Sequence, residues 1–255
     1  HPNNPSLSAP VVATGGTGFG IMSMLVGIER NFVSRAQVVQ RLDKILNFLE
    51  TSDRFHGAWP HWINGNSGKV IPFSSLDDGG DLVETAFLCQ GLVCVYEYFR
   101  EGNQQEKELA QKAFDLWAGV EWDWYTQGEE GLYWHWSPNH GFAIDFKLEG
   151  YNEVLVTSVL AAASPNHSIS KEAYDSGWAV NGEIQYSGSA YGYPLLVRHQ
   201  GDAQLGGPLF WSHYSYLGLN PNGLSDAYAN YEEVNKNHVR VNYAYCQDNP
   251  KGYLG

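Results

Sequence analysis

Residues 81–99 read DLVETAFLCQGLVCVYEYF. From Leu82 to Phe99 apolar side chains occupy nearly every side of the helix this stretch would form, which suits a helix walled in by other helices. Its neighbours differ. Residues 35–50 place Val38, Leu42, Ile45, Leu46 and Leu49 at helical spacing, with Arg35, Gln37, Arg41, Asp43 and Lys44 on the other faces and Ser34 as the cap. Residues 104–118 turn Leu109, Ala113, Leu116 and Trp117 inward and Glu106, Lys107, Glu108 and Lys112 outward. A further apolar helix is predicted over 18–30, after a breaker at Thr14 to Thr17. Buried and amphipathic helices thus alternate, as in two nested rings.

Three more helices are predicted, over 152–163, 170–178 and 226–247. Between them lie turn-rich segments at 53–75, 121–149 and 181–222, crowded with Gly, Pro, Asn and aromatics. Short strands are expected at Trp59 to Ile63 and Leu132 to Trp136. Long irregular segments in a compact domain are usually functional, so the three are expected to build one site. The 255 residues suffice for a single large domain.

A net charge of −13 repels phosphodiester backbones and anionic lipid, which argues against nucleic-acid and membrane partners. No run reaches the roughly 18 consecutive apolar residues of a membrane span. The start, HPNNP, has neither the basic nor the apolar region of a leader peptide. Cys89, Cys94 and Cys246 have no metal or disulfide spacing and read as small core hydrophobes. Nucleophile-elbow, Walker, dinucleotide and zinc-protease patterns are missing from the sequence, so no cofactor is expected.

Just ahead of the apolar helix stands SSLDDGGDLVET, residues 74–85. Capping explains part of it: Asp78 and Asp81 suit an N-terminus, and Asp81 with Glu84 three later resembles a capping box. Asp77 and Glu84 are left, and the Gly79-Gly80 turn would let both face one cleft. A magnesium reading is weighed because Asp77, Asp78 and Asp81 fit the DDxxD pattern of class I terpene synthases. Two adjacent glycines cost about 2 kcal/mol in the helix that pattern needs, and no second metal motif follows. Glu153, in LEGYNEVL at 148–155, is either a first-turn glutamate favoured by the helix dipole or an acid raised by enclosure.

Paired acids across an aromatic cleft suit glycoside hydrolysis, in which one carboxyl protonates the leaving oxygen and a carboxylate activates water or attacks the sugar. The chain carries 9 Trp and 16 Tyr, many in the loops. Trp59, Trp62, Trp134, Trp136, Tyr214 and Tyr216 are the candidate sugar platforms, with His61, Tyr151 and His213 as further substrate contacts. A non-catalytic carbohydrate-binding protein on the same scaffold is the rival reading.

Several segments together carry a resemblance: TGGTGFGIMSMLVGIERNFVSR at 14–35, LDDGGDLVETAFLCQGL at 76–92, LEGYNEVL with ASPNHSI at 163–169, GGPLFWSHYSYLGLNPNGL at 206–224 and NHVRVNYAYCQDNP at 237–250. In order and spacing they resemble the bacterial glucoamylase-like family that contains endo-β-1,2-glucanases and domains related to cyclic β-1,2-glucan synthase. The resemblance implies an all-α fold, an (α/α)6 toroid with short β-hairpins. It also implies hydrolysis of a β-linked glucan, Glu153 as general acid, Asp77 and Glu84 as further catalytic residues, an inverting course, and a periplasmic or secreted location. Twelve helices need more chain than the seven or eight candidates supply, so 1–255 is expected to be one domain incomplete at both ends.

Overall fold

A computed structural model describes residues 10–199 and 204–254. The HPNNP start lies outside the described residues, as does part of the 181–222 segment. About half of the chain is helical, joined by short strands. Helix α1 spans Thr14–Glu29, α2 Arg35–Thr51, α3 Leu82–Phe99 and α4 Gln104–Ala118. Then come α5 at Leu155–Ala163, α6 at Phe210–Tyr216 and α7 at Tyr231–Asp248.

The alternation of buried and amphipathic helices is present. Twelve residues of α3 are buried, among them Phe87, Leu88, Leu92 and Phe99. By composition α3 could cross a membrane, but it is the core helix here, packed between α1, α4 and α5. Each such Leu or Phe contributes about 1.5–3 kcal/mol when withdrawn from water. Backbones touch where α1 crosses α3, because a Cβ at Gly18 would lie 2.0 Å from the Phe87 carbonyl oxygen and one at Gly91 would lie 2.7 Å from that of Gly18. Helices α2 and α4 pack on each other outside this layer. Both start with reciprocal capping boxes, Ser34 with Gln37 and Asn103 with Glu106. Glu106 was expected to face out; it is instead buried, held by its cap and by an ion pair with Arg35.

The helix predicted over 18–30 begins four residues earlier, at Thr14. Its two early glycines do not break it, because Gly15 N–H donates to the Glu84 carboxylate and the Thr14 hydroxyl to the Pro60 carbonyl. Residues 173–178 form a π-helical turn rather than an ordinary helix. Helix α6 and a β-hairpin arise inside the stretch read as irregular. The described cysteines divide: Cys89 is buried, Cys94 partly so, and Cys246 is exposed, contrary to its reading as core.

Among the described residues, three small antiparallel sheets tie the loops. Strands β1 (Val11–Ala13), β2 (Trp62–Asn64) and β3 (Val70–Ile71) form the first, with Val12 opposite Ile63 and Ile63 opposite Val70. Strand β4 (Gly80–Asp81) pairs with β5 (His135–Trp136), and β6 (Gln185–Ala190) with β7 (Tyr193–Val197). The β4–β5 pairing, Asp81 opposite His135, joins the two loop segments that surround the start of α3.

Candidate active site

A hollow of about 370 Å³ opens at the N-terminal ends of α3 and α5. Its walls are Val83, Trp134, Phe146, Leu148, Val154 and Trp211, and its polar groups are His61, Asp81, Glu84, Asn152 and Glu153. Backbone pairing fixes the frame: Leu82 N–H donates to Trp134 O at 2.8 Å and Asp81 N–H to Trp59 O at 2.9 Å.

Asp81 is the α3 N-cap, as its sequence position predicts. One oxygen, Oδ1, accepts from Val83 N (3.0 Å) and Glu84 N (2.9 Å), while Oδ2 lies 2.9 Å from His61 Nδ1. Its side chain is fully buried. The predicted reciprocal arm of a capping box does not form. Glu84 turns away from its own helix, and its Oε2 accepts from Gly15 N at 2.8 Å. It thereby caps α1, whose own N-cap residue, Ala13, has no side-chain acceptor.

Helix N-termini hold carboxyls ionised, but here enclosure wins. Desolvation, followed by the Asp81 charge, pushes Glu84 up to about 7 against the opposing effects of His61 and the Gly15 N–H, with Glu153 adding to the rise. Burial, then Asp81, also raises Glu153 above the ordinary glutamate range. His61 is itself shifted upward: burial opposes its charge, and the hydrogen bond and charge of Asp81 outweigh that burial. Two carboxyls inclined to hold protons thus face one small space.

Asp77 takes a different place from the one the sequence suggested. It is 2% exposed and outside the hollow's lining, with Oδ1 3.2 Å from His135 Nε2 and Oδ2 without a hydrogen-bond partner. Asp78 caps nothing: Ser137 Oγ and Asn139 Nδ2 donate to its oxygens at 2.5 and 2.7 Å. The role assigned to the Gly79-Gly80 pair also changes. Gly79 is required for space, since a Cβ there would lie 2.0 Å from the Trp136 carbonyl oxygen.

Among the described residues, His61, Asp77 and Asp81 offer donor atoms within 4.8 Å of one another and so could hold a cation. Both Asp81 oxygens and His61 Nδ1 are already engaged by the cap and by each other. The DDxxD reading fails on geometry, because Asp77 and Asp78 precede the helix and point to different partners.

Of the predicted sugar contacts, His61 and Trp134 line the hollow. Trp59 does not, being fully buried with Nε1 donating to Leu49 O at 3.1 Å and Arg54 over its ring. Tyr151 is also sealed in, its hydroxyl 2.8 Å from that of Tyr216 and 3.2 Å from Ser212 Oγ. Trp62 packs edge-on against His61 and Phe73, and Tyr214 sits among Phe19, Phe87 and Phe210. Trp136 belongs to a separate cluster with Phe55, His56 and Trp124. His213, on α6, is half-buried outside the lining. Sequence reasoning missed Trp211, which α6 carries into the hollow, and Asp81, whose duty as a cap masked its place in the wall.

Residues 145–255 match the family model Glycoamylase, described as "Putative glucoamylase". Over 96% of its length the chain is 44% identical to the exo β-1,2-glucooligosaccharide sophorohydrolase (non-reducing end) of Parabacteroides distasonis, covering 36% of that protein. Among solved structures, the endo-β-1,2-glucanase from Chitinophaga pinensis, in complex with sophorotriose and glucose, is 55% identical. It superposes with a TM-score of 0.96 over 99% of this chain and 60% of its own. The β-1,2-glucanase from Parabacteroides distasonis is 43% identical with a TM-score of 0.89, over 96% of this chain and 37% of its own. The chain therefore spans between about a third and three fifths of the length of these relatives.

Proposed function

The chain belongs to the glucoamylase-like family, and on that premise we propose that it is part of a glycoside hydrolase acting on β-1,2-linked glucan. Glu153 is the general acid, and Glu84 is the carboxylate that takes the proton of the attacking water. The observation that carries this reading is that two carboxyls with raised proton affinity share one hollow of about 370 Å³ walled by Trp134, Phe146 and Trp211.

The chemistry follows from that pair. Burial raises the proton affinity of both, and the like charges of Asp81 and Glu153 add to the rise at Glu84, which holds its proton up to about 7. With the proton on Glu153, the glycosidic oxygen leaves as a hydroxyl instead of an alkoxide. With the charge on Glu84, an attacking water is polarised and the developing oxocarbenium ion is stabilised. Asp81, fully buried beside Glu84, keeps that second carboxyl basic enough to accept a proton. His61 anchors Asp81 and counters part of its charge. In the inverting course that the family resemblance implies, the water arrives from the face opposite the leaving group. The indoles supply flat apolar surfaces for pyranose rings and exclude competing water.

Asp77 acts, on this reading, from behind the hollow, as a buried charge next to His61 and Asp81. The nested helices α1–α5 are a portion of an (α/α)6 toroid. A periplasmic or secreted location follows from the same resemblance, and cell fractionation tests it. The saccharide specificity follows from the relatives' substrates. Incubation with a panel of defined glucans and chromatography of the products tests the reaction. Wild type should release gluco-oligosaccharides from β-1,2-glucan, and Glu153→Gln should lose at least about 1000-fold in rate while still retarding on immobilised glucan. Binding without turnover in the wild type would leave a carbohydrate-binding protein instead.

A further inference from the structure

A second hollow, of about 560 Å³, shares no lining residue with the first. Glu121, Asp123, Trp124, Gln127, Phe142 and His167 border it. We propose that it is a second binding site for a neutral glucan chain, with the Trp124 indole as its platform; the choice of glucan rests on the function proposed above.

Trp124 is 44% exposed, a large apolar area for a side chain that could have been packed away. It is also immobilised. His56 stacks on it with ring centres 3.8 Å apart and planes 11° from parallel, and Trp136 meets it edge-on. His56 is not part of the hollow's lining, so the covered face and the open face of the indole are different faces. The imidazole is held in turn by its Nδ1, 2.9 Å from Glu121 Oε2. It sits in a tight turn with φ of +49° at His56 and +77° at Gly57, the left-handed region that a non-glycine residue rarely adopts. The turn after Trp124 is equally fixed: Thr126 Oγ1 donates to Asp123 O, Gly128 N–H donates to Thr126 Oγ1, and Gln127 is left-handed at φ +56°.

Around the free face stand acceptors suited to hydroxyls. Glu121 and Asp123 each have one oxygen engaged by a histidine, His56 and His167 respectively, which leaves the other for a ligand. The Gln127 amide can both donate and accept. Next to it Gly128 has open space where a Cβ would stand. A rigid indole with one free face, bordered by carboxylates and an amide, recognises the CH-rich face and the rim hydroxyls of a pyranose. The acidic border, on a chain of net charge −13, repels anionic polymers. A polymeric substrate held at two places on one protein gains in effective concentration at the cleft.

Two measurements test this. Electrophoresis through a gel containing β-1,2-glucan, with the Glu153→Gln protein, reads binding without turnover. Adding Trp124→Ala should reduce the retardation several-fold, Gln127→Ala about twofold, and Trp124→Phe should keep most of it. In the otherwise wild-type enzyme, Trp124→Ala should raise the KM for long glucan about five- to tenfold and leave hydrolysis of a tri- or tetrasaccharide within twofold. Gln127→Ala, at an exposed turn, covers the case in which Trp124→Ala fails to fold. Unchanged retardation in Gln127→Ala and Trp124→Ala together with unchanged long-chain KM overturns the proposal, as does an equal loss on short and long substrates. If the wild type hydrolyses nothing but Trp124→Ala still reduces retardation several-fold, the catalytic reading fails and the second site stands.

Discussion

The starts of α3 and α5 bring a glutamate into the same hollow, yet the two helix ends are closed in opposite ways. Helix α3 is capped from its own sequence: Asp81 has extended backbone (φ −100°, ψ 111°) and accepts the N–H groups of Val83 and Glu84. Val154, just before α5, offers no capping side chain. Asn152 Oδ1 takes Val154 N–H at 2.9 Å, and Ser215, from α6, takes Val156 N–H at 3.2 Å and donates to Glu153 O at 3.1 Å. The backbone of one glutamate is thus fixed by a cap three residues away, and that of the other by Asn152 beside it and by a serine about sixty residues away. A local cap couples folding and chemistry in one residue, whereas a distant cap separates them.

Asp81→Ala should expose that coupling with the largest combined effect. It removes two hydrogen bonds from the α3 N-terminus, the partner of His61 and the charge that raises Glu84 and Glu153. We expect at least about a 100-fold loss of kcat together with a loss of about 1–2 kcal/mol in stability, read by product assay and urea titration. A variant that loses activity with its urea midpoint unchanged would show that the cap and the charge are separable after all.

Gly15→Ala acts on the same helix end from α1. A Cβ at this position would lie 2.7 Å from Glu84 Oε2 and 3.0 Å from the Phe87 ring. The carboxylate must move away from the only N–H that holds it from α1. Losing that donor disfavours the charged form, so the acidic limb of the rate profile should shift to higher pH and the rate at neutral pH fall about tenfold. An unshifted limb would show that the Gly15 N–H has no part in setting Glu84.

Ser215→Ala tests the distant cap. Val156 N–H and Glu153 O would both lose their partner in a buried place, at a cost of about 1–3 kcal/mol. Glu153 keeps its side-chain surroundings, so activity should fall less than tenfold. Thermal unfolding and kcat measured side by side decide whether stability and rate separate here as they do not at Asp81.

The same contrast explains what could be read in advance. The core helix of residues 81–99, the amphipathic helices at 35–50 and 104–118, and the Asp81 cap all rest on interactions within four residues, where periodicity and capping rules apply. Helix α6 has no such signature: its seven residues have no side-chain cap, and Ser212 and Ser215 face inward because tertiary partners await them. Trp211 therefore went unrecognised as part of the hollow. The aromatics failed for a related reason. Composition says that rings are plentiful but not which face the cleft, and the enclosure of Trp59 and Tyr151 depends on Arg54, Leu49, Ser212 and Tyr216, none adjacent in sequence.

The last test concerns the pH dependence of stability. An unfolded glutamate ionises near 4.5, whereas Glu84 in the folded chain holds its proton to about 7. Below the lower value both states are protonated, and Glu84 contributes no pH dependence. Between the two the unfolded state ionises first, so folding stability falls as pH rises, and it levels off above about 7. Glu84→Gln removes the titrating group. Its urea midpoint should stay flatter than wild type from pH 4.5 to 7 and run parallel to it above that range. If the two curves stay parallel throughout, enclosure does not raise Glu84, and the α3 carboxyl is as ordinary as a first-turn glutamate on an open helix.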